Sequence, residues 1–95
     1  MSEVKVVALI KAAPEHRDAV GIAVRAMVAP SRSEPGCIQY DLHEEQGHPG
    51  AFVFIERWTS EQALKEHMAM SYHDAFLAEL EGKLENLEVK RLTPL

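Results

Sequence analysis

The segment AFVFIERW, residues 51–58, constrains the fold more than any other part of the chain. It is rich in aromatic and β-branched residues, which is typical of a strand. Because strand side chains alternate between two faces, one face carries a carboxylate among aromatic rings. Burying such a carboxylate without a partner costs on the order of several kcal/mol. The residues on this face are Phe52, Phe54, Glu56 and Trp58.

A polar turn precedes this strand and predicts a hairpin. Residues 45–50 contain Gly47, Pro49 and Gly50, and the segment 37–44 before them alternates as a second strand. Turn residues between two alternating segments favour an antiparallel pair. Tyr40 is then on the same sheet face as Glu56, and its phenol is expected to reach the carboxylate across the hairpin.

The rest of the chain predicts two strands and two helical regions. Pro14 suits the first turn of a helix, and Pro30 is expected to kink or end that helix, with one further turn through Ser33. Ser60 is a candidate N-cap for the second helical region, and Thr59, with Gln62 three residues on, is an alternative cap. The predicted strands are 4–12 and 87–92, and the predicted helical segments are 14–33, 61–71 and 72–84.

The order βαββαβ indicates an α+β fold of the ferredoxin-like type, with an antiparallel sheet covered by helices on one side. The first strand is apolar on both faces, and Val53 and Ile55 lie on the face away from Glu56. An uncovered apolar sheet face favours association. We therefore expect a homodimer that forms through the sheet faces.

Length and composition predict a single domain, residues 1–95, of ordinary globular type. The formal charge is −5, and the basic residues are scattered without a run of three, which disfavours a nucleic-acid-binding surface. No segment approaches membrane-spanning length, and no targeting signal is recognised, so a cytoplasmic protein without a membrane partner is expected. The single cysteine, Cys37, leaves no intramolecular disulfide or CxxC pair.

Two histidines are the candidates for acid–base chemistry. His67 is on the inward side of its predicted helix, where it is either a general base or a hydrogen-bonded core residue. His73 follows six residues later and either converges on the same cavity or lies at the surface. Their spacing is not the i, i+4 spacing of two metal ligands on one helical face, so no metal site is predicted.

Over nearly its full length the chain resembles the antibiotic biosynthesis monooxygenase family, especially its small quinol monooxygenase-like members. The resemblance implies a dimeric α+β barrel of two ferredoxin-like subunits. It also implies oxidation of a quinol or polycyclic phenol by O₂ without a metal, flavin or other cofactor. The residues that carry it are 33–37 (SEPGC), Tyr40, 54–58 (FIERW), Ala63, Leu64, His67, 71–73 (SYH) and Phe76.

The resemblance also implies roles in a cavity between the sheet and the helices. His67 would transfer a proton or stabilise an oxyanion, Trp58 would stack on the substrate, and Glu56 with Tyr40 would form a supporting hydrogen-bond network. The catalytic set is therefore His67, Trp58 and Glu56. The remaining expected substrate-binding residues are Tyr40, Phe54, Met68, His73 and Phe76.

Two other functions remain open, and a third is disfavoured. An isomerase or clearance enzyme for a small phosphorylated signalling sugar would need cations near the pocket, whereas Arg57 is predicted on the other sheet face. Haem degradation is disfavoured because the first strand lacks the asparagine of haem-degrading members. A dimeric binding or stress-response module without catalysis is also compatible with the fold. A cavity of several hundred Å³ would favour an enzyme or binder over a filled core.

Overall fold

The computed structural model describes residues 2–95, and within them four strands form one antiparallel sheet. The strands are β1 (Val4–Ala12), β2 (Cys37–Glu44), β3 (Ala51–Trp58) and β4 (Leu84–Leu92), arranged in the order β2-β3-β1-β4. The helices are α1 (Arg17–Ala26), α2 (Val28–Arg32), α3 (Glu61–Met68) and α4 (Ser71–Leu80), and a 3₁₀ turn at Pro14–His16 precedes α1. The predicted ferredoxin-like α+β fold is confirmed.

One face of the sheet supplies most of the core. Every second residue of β1 and β3 is buried, as strand alternation requires. The antiparallel register of β1 and β3 places Val6 opposite Glu56 and Ala8 opposite Phe54. The helices cover this face, and α1 contributes Val20 and Val24, which have no exposed surface. The sequence-predicted inward face of β3 is therefore the helix-covered face.

The helical region after β1 divides earlier than predicted. The helix is interrupted at Met27, between α1 and α2, rather than at Pro30. Pro30 lies in the first turn of α2, where a residue without a backbone N–H costs no helical hydrogen bond. The further turn through this segment thus exists, but Pro30 helps to begin it and does not end the preceding helix.

The last helix is shorter than the sequence pattern predicted. Helix α4 ends at Leu80, and Gly82 follows with φ of +76°, a left-handed conformation that glycine adopts without a steric penalty. Leu84, which is the last residue of the predicted helical segment 72–84, is instead the first residue of β4. The helical spacing of leucines therefore continued past the point where Gly82 ends the helix.

The opposite sheet face is partly apolar and has no helix on it. Val53 and Ile55 are half-buried there, and Arg57 binds Glu3 through two hydrogen bonds of 2.6 and 2.8 Å. Arg57 is therefore directed away from the helix-covered face, as predicted. Among the residues described, no helix has the length and apolar character needed to cross a membrane.

Candidate active site

A cavity of about 290 Å³ lies between the helix-covered face of the sheet and helices α3 and α4. Its wall is mainly aliphatic and aromatic, and among residues 2–95 no lysine or arginine borders it. The volume is close to the lower end of the range usual for small-molecule sites. Seven of the eight predicted site residues border it: Tyr40, Phe54, Glu56, His67, Met68, His73 and Phe76.

A larger surface depression, of about 460 Å³, lies between α1 and the β2–β3 turn. Its border includes Arg17, Asp18, Arg25 and Glu44, and none of the predicted site residues reaches it. The chemistry-bearing side chains therefore lie at the smaller, apolar cavity.

Glu56 is a buried carboxylate with a neighbouring hydrogen-bond donor. Trp58 Nε1 donates to Glu56 Oε1 over 3.0 Å. Burial raises the pKa of Glu56 to about 7, although the Trp58 hydrogen bond lowers the pKa and the nearby charge of Glu34 raises it. Tyr40 is directly opposite Glu56 in the β2–β3 register. Among the hydrogen bonds of the described residues, none connects the Tyr40 and Glu56 side chains. The predicted Glu56–Tyr40 hydrogen bond is thus replaced by Glu56–Trp58.

Trp58 is fully buried and does not border the cavity. Its ring is tilted by 34° against the His67 imidazole, with 4.4 Å between the ring centroids. The structure therefore places Trp58 behind the cavity wall, whereas the predicted stacking on a substrate requires a ring at that wall. Instead, Trp58 packs against His67 and donates a hydrogen bond to Glu56. Alternation along β3 predicts the face on which a side chain lies but not its depth.

His67 is held by a carboxylate that the sequence did not single out. Its Nδ1 lies 2.7 Å from Oε2 of Glu34, and both side chains are buried. Tyr72 donates its hydroxyl hydrogen to the same Glu34 oxygen. The Tyr72 oxygen also lies 3.3 Å from Ser31 Oγ and 3.4 Å from His67 Nδ1. The support predicted for His67 from Glu56 is therefore provided by Glu34.

Three structural features bring Glu34 to His67. Ser60 caps α3 by accepting a hydrogen bond from the Ala63 backbone N–H, as the sequence predicted. The backbone N–H of Thr59 donates to the Gly36 carbonyl, which ties the loop before β2 to the end of β3. A methyl group at Gly36 would overlap the Cβ of Ala63. The absence of a side chain at Gly36 thus permits the loop carrying Glu34 to approach α3.

His73 and Tyr40 complete the polar surroundings of His67. The His73 ring is perpendicular to that of His67, with centroids 4.9 Å apart, and its buried Nδ1 has no hydrogen-bond partner among residues 2–95. Burial, with a smaller effect of His67, lowers the pKa of His73. Burial, aided by the charge of Glu56, raises the pKa of Tyr40. Both groups therefore favour their neutral forms.

Burial and the hydrogen bond to Glu34 raise the pKa of Tyr72 to about 12. Tyr72 therefore keeps its hydrogen at neutral pH and donates it to the carboxylate. Sequence reasoning missed Glu34, Tyr72 and Ser31 as site residues, although the first two lie in the segments that carry the family resemblance. Glu34 is in a loop, where periodicity does not predict side-chain direction. Within residues 2–95, no three His, Cys, Asp or Glu side chains converge as a metal-binding group.

Comparison with known sequences identifies relatives along most of the chain. Residues 3–79 match the antibiotic biosynthesis monooxygenase family. A Bacillus subtilis protein named "Putative monooxygenase YcnE" is 38% identical over 71 residues, which are 75% of each chain. Rv0793 of Mycobacterium tuberculosis is 35% identical over 79 residues, covering 83% of this chain and 77% of the relative.

Solved structures agree with the sequence relatives. PA3566 of Pseudomonas aeruginosa superposes with a TM-score of 0.94 and 37% identity, covering 100% of this chain and 96% of that one. The Rv0793 structure has a TM-score of 0.93 and 35% identity, covering 99% and 96% of the two chains. On the family match and these relatives, the chain belongs to the antibiotic biosynthesis monooxygenase family.

Proposed function

We propose that this protein is a monooxygenase that oxidises a quinol or polycyclic phenol with O₂ and needs no prosthetic group. The observation that carries the proposal is an apolar cavity of about 290 Å³ bordered by a histidine whose Nδ1 is bound to a buried carboxylate. An apolar wall suits a planar aromatic ring, and a paired imidazole suits a general base. The family membership of the chain supports the same reaction class.

In this proposal, His67 accepts the phenolic proton of the bound substrate. The resulting imidazolium is stabilised by Glu34, whose carboxylate is already in contact with Nδ1. Trp58 packs against the ring and restricts its rotation. The electron-rich phenolate can then transfer an electron to O₂, so the protein supplies the base, the orientation and the exclusion of water.

The reaction balances without an external reductant. For a hydroquinone, one oxygen atom replaces a ring hydrogen and the other leaves as water, which yields a hydroxyquinone. The substrate supplies all four electrons: two come from the quinol oxygens and two from the hydroxylated ring carbon. Glu56, with its pKa near 7, is suited to hold or return a proton close to the oxygen-derived product.

The wall of the cavity weighs against a phosphorylated sugar as the substrate. Its lining has no lysine or arginine, and Arg57 is bound to Glu3 on the other sheet face. A phosphate dianion would therefore be desolvated without a balancing charge. A non-catalytic binding protein would have the same cavity, so turnover is the observation that separates it from an enzyme.

O₂ uptake by purified, chelator-treated protein tests the proposal with hydroquinones, naphthols and anthrones as substrates. We expect quinol-dependent uptake and incorporation of one ¹⁸O atom from ¹⁸O₂ into the product. His67→Ala should reduce turnover by roughly 10²–10⁴-fold, the usual contribution of a general base. His43→Ala, which changes an exposed histidine on β2, should leave turnover unchanged. Equal turnover in the two variants would remove His67 from the mechanism.

We also propose a homodimer that forms through the helix-free face of the sheet. Val7, Leu9, Val53 and Ile55 lie on this face and are half-buried in the single chain. Covering them would remove apolar surface from water. Val53→Asp should shift sedimentation from a dimer toward a monomer, whereas Ile22→Asp, an exposed change on α1, should not. A wild-type monomer at micromolar concentration would contradict the proposal.

A further inference from the structure

The hydrogen-bonding capacity of Glu34 determines where the His67 proton lies. An ionised carboxylate has no hydrogen to donate, so each polar group that binds it must bring one. His67 Nδ1 is 2.7 Å from Glu34 Oε2, and the Tyr72 hydroxyl donates to the same oxygen. Because Tyr72 donates its one hydroxyl hydrogen to the carboxylate, it has none to donate to His67 Nδ1, which lies 3.4 Å from the Tyr72 oxygen. A neutral His67 must therefore carry its hydrogen on Nδ1.

The second imidazole nitrogen is then an acceptor. In residues 2–95, the hydrogen bonds of the His67 ring all involve Nδ1, and Nε2 has no protein partner. The His67 ring borders the apolar cavity. Trp58 packs against this ring, with 4.4 Å between the ring centroids, and limits the rotation of the imidazole. A neutral imidazole protonated at Nδ1 has a lone pair, and no hydrogen, at Nε2.

We infer that Glu34 is a positioning residue that fixes neutral His67 as the Nδ1–H tautomer, so that the cavity selects aromatic ligands bearing an O–H group over their methyl ethers and quinones. A phenol or hydroquinone donates its hydrogen to Nε2. A methyl ether or a quinone carbonyl has only lone pairs at the same place and leaves Nε2 without a partner.

The expected preference for ligands with an O–H group follows from His67 Nε2, which a methyl ether or a quinone leaves without a hydrogen-bond donor. Leaving one buried polar group without a hydrogen bond costs about 1–3 kcal/mol, which corresponds to a binding ratio of roughly 5- to 150-fold. The selectivity also separates a quinol from the corresponding unhydroxylated quinone, which has no O–H to donate to Nε2.

The tautomer can be measured directly in the wild-type protein. Long-range ¹H–¹⁵N correlation spectra of uniformly ¹⁵N-labelled protein, at mildly alkaline pH and without ligand, report which ring nitrogen carries hydrogen. We expect His67 to show a protonated Nδ1 and an unprotonated Nε2. A hydrogen on Nε2, in a neutral ring or in an imidazolium at that pH, would overturn the inference.

Ligand selectivity is tested by anaerobic calorimetry with naphthol, methoxynaphthalene and naphthoquinone. In the wild type, naphthol should bind about tenfold or more tightly than either analogue. Glu34→Ala should reduce this preference to a few-fold and shift hydrogen toward Nε2. Glu66→Ala, an exposed change on α3, should preserve the wild-type preference. An unchanged preference in a folded Glu34→Ala protein would refute the positioning role. If Glu34→Ala does not fold, the wild-type spectrum still decides.

The inference depends on the proposed function for its reaction but not for its binding prediction. A protein with the expected tautomer and selectivity but no O₂ uptake would refute the monooxygenase proposal and leave the role of Glu34 intact. A protein that turns over quinols with His67 protonated on Nε2 would refute the role of Glu34 and leave the monooxygenase proposal intact.

Discussion

The two regions under the helices differ in how completely they are filled. The packed region is formed by Val20, Val24 and Met27, which bury almost all of their surface between α1, α2 and the sheet. The cavity region lies beneath α3 and α4 and retains about 290 Å³ of free space. Leu87 and Val89 border it from β4 and remain 47% and 60% exposed. One sheet face thus carries both a filled core and a cavity.

The two regions also differ in the chemical character of their side chains. In the packed region, the buried side chains named above are apolar, and close packing contributes to stability. In the cavity region, Glu34, Glu56, His67 and His73 are brought together at the cost of desolvating polar groups. Polar groups gathered beside unfilled apolar space are typical of a functional site. The comparison therefore predicts different responses to matched substitutions.

Matched methionine truncations should produce the largest difference between the regions. Met27 is 3% exposed in the packed region, so Met27→Ala should lower the free energy of unfolding by about 2–5 kcal/mol. Met68 borders the cavity and is 42% exposed, so Met68→Ala should change it by less than about 1 kcal/mol. Urea unfolding measures both values. Equal losses would contradict the distinction between a packed and an unfilled region.

The pH dependence of stability should reveal the buried carboxylate of the cavity region. Burial raises the pKa of Glu56 from 4.5 to about 7, so the folded protein binds a proton that the unfolded chain releases. The contribution of Glu56 to the free energy of unfolding is fully present below pH 4.5 and is lost as the pH rises through about 7. The loss is roughly 3 kcal/mol. Glu56→Gln should remove this dependence.

The measurement is urea unfolding of wild type and Glu56→Gln across this pH window. The variant should gain stability relative to the wild type as the pH rises. Glu66→Gln, which changes an exposed side chain on α3, should follow the wild-type curve. A stability difference between wild type and Glu56→Gln that stays constant with pH would contradict the raised pKa.

The loop contact that brings Glu34 to His67 should depend on Gly36. Gly36→Ala places a methyl group against the Cβ of Ala63 and should cost about 1–3 kcal/mol through overpacking. It should also alter the His67 side-chain resonances, because the loop carrying Glu34 must move. Ala63→Gly removes the opposing Cβ, so the double variant should be more stable than the sum of the two single effects. Strictly additive effects would indicate that this contact does not position the loop.

The sequence predicted the fold well where one local rule was sufficient. Alternation assigned Glu56 and Trp58 to the helix-covered face, and the N-cap preference of serine located the start of α3 at Ser60. The end of α4 was wrong because leucine spacing was followed beyond Gly82. Alternation and capping depend on neighbouring residues, which a sequence displays directly.

The candidate site was less predictable because its contacts join distant segments. Glu34 and His67 are 33 residues apart, and Glu34 belongs to a loop without a periodic pattern. Strand alternation likewise contains no measure of depth, so Trp58 was expected at the cavity, whereas it packs against His67 and does not border the cavity. Side-chain chemistry identified His67 as a candidate, but only three-dimensional packing identified its partner.

The central claim is that aromatic ligands occupy the cavity region. An anaerobic titration of methyl- and histidine-labelled protein with a naphthohydroquinone tests it most directly. We expect saturable shifts at Leu64, Leu77, Val89 and His67, with Val20 and Val24 of the packed region unchanged. Shifts confined to the packed region, or no saturable shift at His67, would contradict it.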